Sequence, residues 1–328
     1  MLESMIATAP GKLILTGEYA VLDGAPAIVL AVNRRVVARA VPGTRSTSPF
    51  LVAVAEEVAR RYGDPTDAAR AIVVDSSSFY EGDCKLGLGS SAAVTVAATM
   101  LALAVTRPEG AVRVNTTREI REIATLAHAN AQGAMGARGS GADIASAVSG
   151  GAIVFAMGEP PSITKRTWPH SVRIVPFFTG VAANTAKLVS TVAAARIANP
   201  AAVDAALIAI ADASKAAGAA LTLDGARSDL ATTALLAAVS LAAHATDRLA
   251  AATGVALVPP CVLAAREAMK AFGGTAKTTG AGGGDIGVAV IPATADVTAV
   301  RRSLIEAGCR VLELSVDERG VDLRPPAQ

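Results

Sequence analysis

The chain has 328 residues, of which 52% are hydrophobic and 18% charged, with a formal net charge of +2. That length suits two domains of ordinary size, and the composition is that of a protein with a large buried core, not a disordered one. The small net charge, with arginines scattered rather than blocked, calls for no nucleic-acid partner and no polybasic membrane patch. Mean hydropathy is +0.45, but alanine supplies most of it. The longest apolar run, Ala92 to Val105, is interrupted by Thr95 and Thr99 and is too short to span a bilayer. Glu3 stands where a secretory signal would carry basic residues, so a soluble cytoplasmic protein without a membrane partner is expected. Cys84, Cys261 and Cys309, like His128, His170 and His244, are dispersed without metal-ligand spacing.

In chain order, Met5 to Ala9 reads as a short strand ended by Pro10-Gly11, followed by a buried strand around Leu13 to Leu15 that Gly17 breaks. Lys12, Glu18 and Tyr19 are the polar exceptions there. Lys12 is equally a strand-edge lysine or an ammonium aimed at phosphate, and Tyr19 a core tyrosine or a hydroxyl facing substrate. Asp23-Gly24 is a turn. Ala27 to Ala31 and Val36 to Val41 read as strands around a basic Asn33-Arg34-Arg35 turn. After a polar loop, Pro42 to Pro49, helical spacing runs from Leu51 to Arg61, and Ile72 to Val74 is a short strand.

Then comes Lys85-Leu86-Gly87-Leu88-Gly89-Ser90-Ser91-Ala92-Ala93, directly before a nearly uncharged helical run from Val94 to Val105. Glycines bring backbone N–H groups close to a ligand, and a helix N-terminus attracts an anion through its free N–H groups and dipole. The hydroxyls of Ser90 and Ser91 add groups for a phosphate oxygen or a metal ion. The spacing is neither a Walker A motif nor a dinucleotide fingerprint. A glycine-serine loop alone is more often an ordinary capped turn.

Thr116 with Glu119 forms a capping box opening a helix whose apolar face holds Ile120, Ile123, Ala127 and Ala131. Beyond Gly133, Arg138-Gly139-Ser140-Gly141-Ala142-Asp143 delivers one aspartate to the start of another apolar helix. It is either a first-turn aspartate favouring the helix dipole or a carboxylate near a transferring phosphoryl group. A strand, Ala152 to Phe155, follows. Pro160-Pro161 and the polar Thr164 to His170 mark a break, with the domain boundary placed between 1–165 and 166–328. Val172 to Phe178 reads as a strand and roughly 186–252 as long alanine-rich helices. A third glycine cluster, Lys277 to Gly287, places five glycines within eight residues ahead of the strand Val288 to Ile291. A glycine loop before a strand is usually a bulge or hairpin turn.

Together these three stretches, near 10–22, 85–96 and 277–290, resemble the three motifs of the GHMP kinase superfamily, over essentially the whole chain. Gly17-Glu18-Tyr19-Ala20-Val21-Leu22, the Gly284-Asp285 ending of the third motif and Phe178-Thr179-Gly180 are most similar to the phosphomevalonate kinase branch. Mevalonate kinases typically carry histidine where Tyr19 stands. The resemblance implies an α+β fold, with an N-terminal α/β domain like ribosomal protein S5 domain 2, a ferredoxin-like C-terminal domain and the site in the cleft between them. It implies ATP and Mg²⁺ as co-substrate and cofactor, 5-phosphomevalonate as the small-molecule acceptor, and a monomer or homodimer.

The resemblance places Gly87, Leu88, Gly89, Ser90, Ser91 and Ala92 around the ATP phosphates, with Ser91 nearest Mg²⁺. Asp143 matches the family's catalytic aspartate and Lys12 the lysine contacting it and the reacting phosphates. Lys85 is a further candidate for gripping phosphate, and Lys187 a weaker one. Gly17, Glu18, Tyr19, Ser140, Gly141, Ala281, Gly282 and Gly283 match substrate-facing positions. The acidic Mg²⁺ ligand usual in mevalonate kinases has no counterpart between Ser91 and Thr106. A mevalonate or other small-alcohol kinase is the alternative reading. A non-catalytic sensor of the same fold would be expected to have lost Lys12, Ser91 or Asp143.

Overall fold

A computed structural model of the chain describes residues 5–63, 67–106, 116–134, 139–223 and 228–324. Its elements in chain order are β1 (Ile6–Thr16), β2 (Ala27–Ala40), α1 (Pro49–Tyr62), α2 (Asp67–Arg70), β3 (Ile72–Asp75), β4 (Tyr80–Glu81), β5 (Cys84–Lys85), α3 (Ser90–Thr106), α4 (Thr116–Ala134), α5 (Ala142–Ser149), β6 (Ala152–Ala156) and β7 (Ser162–Arg166). There follow β8 (Val172–Phe178), α6 (Thr185–Ala198), α7 (Pro200–Ala220), α8 (Ser228–Thr253), α9 (Pro260–Met269), β9 (Thr275–Thr278), β10 (Ile286–Pro292), α10 (Val297–Glu306), β11 (Arg310–Val311) and β12 (Asp322–Arg324). The chain is α+β, as expected.

The first sheet is six-stranded, in the order β12-β1-β2-β6-β7 with β3 also paired to β2. The two halves of its N-terminal hairpin are longer than the sequence suggests. Pro10-Gly11 does not end β1; the pairing shifts register there, from Pro10 opposite Arg35 to Gly11 opposite Val32. A proline without an N–H is accommodated at such a bulge. The same irregularity absorbs Asn33 and Arg34, so β2 runs through the basic residues instead of turning at them.

Those basic residues are tolerated because they have partners. The Arg35 guanidinium donates to Asp317 Oδ2 at 2.6 Å and Gly320 O at 2.6 Å, and Arg34 donates to Glu81 Oε1 at 3.2 Å. Thr164 to Arg166 is likewise no break: it forms the end of β7, paired with β6. The C-terminal β12 returns to pair with β1.

Helix α3 is the floor of this half. It packs against β1, β2, α1, α4 and α5, and Ala93, Val96, Ala97, Leu101 and Ala102 are fully buried. The Thr95 and Thr99 hydroxyls are satisfied by donating to the carbonyls of Ser91 and Thr95 one turn back, both at 2.8 Å. Helix α4 opens at Thr116, whose side chain, and with it the capping box, lies outside the described residues, as does Arg138.

The second sheet is four-stranded and antiparallel, in the order β11-β8-β10-β9. With α9 preceding β9 and α10 preceding β11, it has the ferredoxin-like arrangement that the resemblance implies. Helices α6, α7 and α8 fill the span between β8 and α9. Helix α8 is the exception to the hydropathy reading: Asp229–Thr253 is long and apolar enough to cross a membrane. It packs along α7 through one face, with Leu235, Ala238, Val239, Ala242 and Leu249 buried and Leu230 and Leu241 exposed.

Candidate active site

The three motifs meet at one cavity of 530 Å³, a size suited to a small-molecule site. Lys12 reaches it from β1, held by its own backbone N–H donating to Leu88 O at 2.9 Å. That bond ties the first motif to the glycine loop of the second. The Lys12 side chain then lies across the loop, and its Nζ stands 3.5 Å from Asp143 Oδ1, at the first turn of α5. The lysine side chain is 11% exposed and the aspartate 33%, so the pair is open to solvent on the Asp143 side.

Gly87 and Gly89 have φ of +67° and +73°, the left-handed region that glycine enters without penalty. Space demands glycine there as well. A Cβ on Gly89 would stand 2.8 Å from Lys12 Cε, and one on Gly87 would stand 2.5 Å from Asp285 Oδ2. The loop is thus pressed between a lysine from the first motif and an aspartate from the third. Ser90 and Ser91 open α3 and line the cavity, at the end of a helix whose first N–H groups have no intrahelical partner.

Asp285 is held tightly. Its backbone N–H donates to Val181 O at 2.6 Å, its carbonyl accepts from Thr179 at 2.9 Å, and its Oδ1 accepts from the Ala183 N–H at 3.1 Å. Its φ is +51°, and Tyr19 has φ of +61°. These are the two positive-φ non-glycine residues among the described residues, and both line the cavity. Backbone strain of this kind concentrates at functional sites. Burial raises the Asp285 carboxyl above its ordinary range, opposed by the Ala183 N–H and the charges of Lys12 and Lys85.

Tyr19 closes the wall by donating its phenol to Ala281 O at 2.6 Å. Burial, and next the Glu18 charge, push its pKa up and keep it a donor. Tyr19→Phe leaves Ala281 O without this partner and is expected to lower stability by about 1 kcal/mol. Urea unfolding checks this; unchanged stability contradicts the wall-closing role.

Glu18 is turned further inward, 4% exposed, where its Oε1 pairs with the Nζ of the fully buried Lys277. Lys85 is exposed at the rim, and Ser140, Gly141 and Ala281 line the cavity with Gly282. Four expected residues support the wall without lining it. Leu88 and Ala92 are buried in the core, a Cβ on Gly17 would meet Pro26 O at 2.5 Å, and one on Gly283 would meet Leu188 Cδ1 at 2.9 Å. Lys187 is exposed on the first turn of α6 and does not line the cavity.

The sequence reading missed His128 and Gln132 and named Asp285 only as the end of the third motif; all three line the cavity. His128 is 6% exposed, with Nε2 3.1 Å from Ser91 Oγ, and burial lowers its pKa while Asp143 opposes the shift. A usable signal existed: Thr125, His128, Ala129 and Gln132 share one helical face. Nothing in the spacing said what that face met.

Comparison with known proteins shows the family. A phosphomevalonate kinase from Streptomyces sp. (strain CL190) is 30% identical across 97% of this chain and 98% of its own length. The family description "GHMP kinases N terminal domain" matches residues 49–151. The chain belongs to the GHMP kinases.

Among solved structures, the Lin0012 protein of Listeria innocua superposes with a TM-score of 0.80 at 21% identity, covering 98% of this chain and 99% of that one. The phosphomevalonate kinase of Streptococcus pneumoniae, in complex with phosphomevalonate and AMPPNP, superposes at 0.72 with 17% identity, covering 95% and 99%. These share the fold. GHMP kinases use ATP, and the cavity of this one fits a nucleotide: glycines leave its loop open to phosphate, and a helix N-terminus faces it. The donor set fits Mg²⁺ too. Hard oxygens from Ser91, Asp143 and Asp285 line the space, although no group of three or more His, Cys, Asp or Glu is gathered among the described residues. Magnesium bound to phosphates characteristically takes one or two protein carboxylates and retains water.

Proposed function

We propose that this GHMP kinase transfers the γ-phosphoryl group of ATP to 5-phosphomevalonate, giving 5-diphosphomevalonate and ADP. The observation that carries the reading is the convergence of Lys12, Lys85 and the α3 N-terminus on one cavity, beside an Asp143 already paired with Lys12. The full-length likeness to a phosphomevalonate kinase supports the choice of acceptor. The chemistry matches. A phosphomonoester has a second pKa of about 6 and is largely dianionic at neutral pH, so its oxygen attacks without surrendering a proton. As the new P–O bond forms, the bond to the β-phosphate oxygen breaks and ADP leaves.

The task left to the protein is to hold two anions together. Each pair of like unit charges at 4 Å and an effective dielectric of ~20 repels by about 4 kcal/mol. In this reading Lys12, Lys85 and the N–H groups of the Gly87–Ser91 loop offset that repulsion, while Tyr19, Ser140, Gly141, Ala281 and Gly282 form the acceptor's wall. Mg²⁺, held through Ser91 and the phosphates, would neutralise further charge on the nucleotide. Residues 1–165 supply the nucleotide side and 166–328 the third motif. Both act in the cytoplasm, as a monomer or homodimer.

A coupled ADP-release assay offering 5-phosphomevalonate and mevalonate separately is the direct test. Turnover with 5-phosphomevalonate alone supports the reading, and turnover with mevalonate alone overturns it. Asp143→Asn is expected to lower kcat only about 10- to 100-fold, toward the low end of what a general base contributes, because a dianionic acceptor needs none. Abolished turnover in a folded Asp143→Asn protein would count against a phosphate acceptor.

A further inference from the structure

His128 has no part in the reaction just described, yet its surroundings fix it in place. Its ring stacks on Phe50 of α1, with centroids 5.3 Å apart and planes at 26°, and it is 6% exposed. The contact between α1 and α4 thereby sets the ring, and the ring sets one polar contact inside the cavity, from Nε2 to Ser91 Oγ at 3.1 Å.

A serine hydroxyl carries one proton and two lone pairs. If Nε2 donated, the Ser91 proton would be left for a phosphate oxygen. If Nε2 accepts, the proton is held and the lone pairs face the cavity. Phosphate already finds donors in the N–H groups of the α3 N-terminus, whereas magnesium requires oxygen lone pairs. Asp143 lines the same cavity.

We propose that His128 is a positioning residue whose Nε2 accepts a hydrogen bond from the Ser91 hydroxyl and so turns the Oγ lone pairs toward a magnesium ion on the nucleotide phosphates. The inference rests on the reading of Ser91 as a magnesium ligand, and its test separates the two. Calorimetric binding of AMPPNP is measured with and without Mg²⁺ for wild type, Ser91→Ala, His128→Phe and the double variant. His128→Phe keeps the stack on Phe50 and removes the ring nitrogen.

Outer-shell partners of a metal ligand typically matter 10- to 100-fold, so His128→Phe is expected to weaken AMPPNP binding about tenfold with Mg²⁺ and less than about twofold without it. In the Ser91→Ala background it should have no further effect, and His128→Gln, whose amide oxygen accepts, should recover part of the affinity. An equal loss with and without Mg²⁺, additivity with Ser91→Ala, or no loss at all overturns the role of His128 while leaving Ser91 a ligand. Unchanged magnesium-dependent binding in Ser91→Ala itself overturns the Ser91 reading and the proposal with it. Melting curves accompany every variant, and His128→Met, which keeps the bulk without the ring nitrogen, takes the same test if the phenylalanine variant melts early.

Discussion

Lys12→Met is expected to lower kcat by about 10²- to 10³-fold, the range seen when one preorganised charge-stabilising donor is removed from a water-poor site. Methionine retains a stem to lie over Gly89, so the loop that a Cβ at that position would push against Lys12 Cε keeps its cover. The ammonium is lost, with two consequences. The phosphates lose a cation where like charges are forced together, and Asp143 loses the partner 3.5 Å away, adding a carboxylate's repulsion to theirs. The melting temperature should change little, because the backbone bond from Lys12 to Leu88 O survives. Steady-state kinetics with saturating ATP check this. A fall in kcat of less than about tenfold, in a protein that melts like wild type, would remove Lys12 from the charge-stabilising role that such donors fill.

Lys277→Met is expected to destabilise the fold by about 3–5 kcal/mol, the penalty for breaking a buried ion pair by removing one partner. Lys277 is fully buried and donates to Glu18 Oε1 and, at 2.6 Å, to Thr278 O. Its loss strands the Glu18 carboxylate, whose Oε2 already lacks a partner among the described residues. In a chain of this size the melting temperature should fall on the order of 10 °C. Replacing both members, Glu18→Gln with Lys277→Met, should recover most of the loss, since a pair exchanged together leaves no isolated charge.

The pH dependence has a definite sign. Burial raises the Glu18 pKa above 4.5 despite the attraction of Lys277. Removing the lysine raises it further. A raised carboxyl pKa contributes stability that is present at low pH and lost as pH climbs through the folded-state value. The deficit of Lys277→Met should therefore narrow at pH 5 and widen at pH 8 in denaturant titrations. A deficit independent of pH would locate the damage in packing, not in charge.

How much of this was legible beforehand can be judged residue by residue. Local pattern carried the helices, because apolar spacing and small residues write themselves into α1, α3 and α5. Lys12 and Asp143 stood out as charged residues in apolar segments, but spacing left each an ordinary alternative, and their catalytic roles came from the resemblance to the GHMP kinases. The strands were harder. Pro10-Gly11 and Asn33-Arg34-Arg35 are stop signals when read singly, but the two irregularities face each other across one hairpin and cancel as a bulge. The partners that neutralise Arg35 come from Asp317 and Gly320, far along the chain.

The sequence by itself implied the α+β fold, through its resemblance to the GHMP kinases, and determined the order of the three motifs and the charged residues they carry. The tertiary structure alone decided what stands across from each of them. Tyr19 reaches Ala281 over 262 positions, Glu18 finds Lys277 over 259, and His128 meets Ser91 over 37. Periodicity reports which face of an element is buried, because burial repeats with the element's own geometry. It carries no record of the partner on the other side, since that depends on how separate elements pack together, and the cavity of this kinase is made of such meetings.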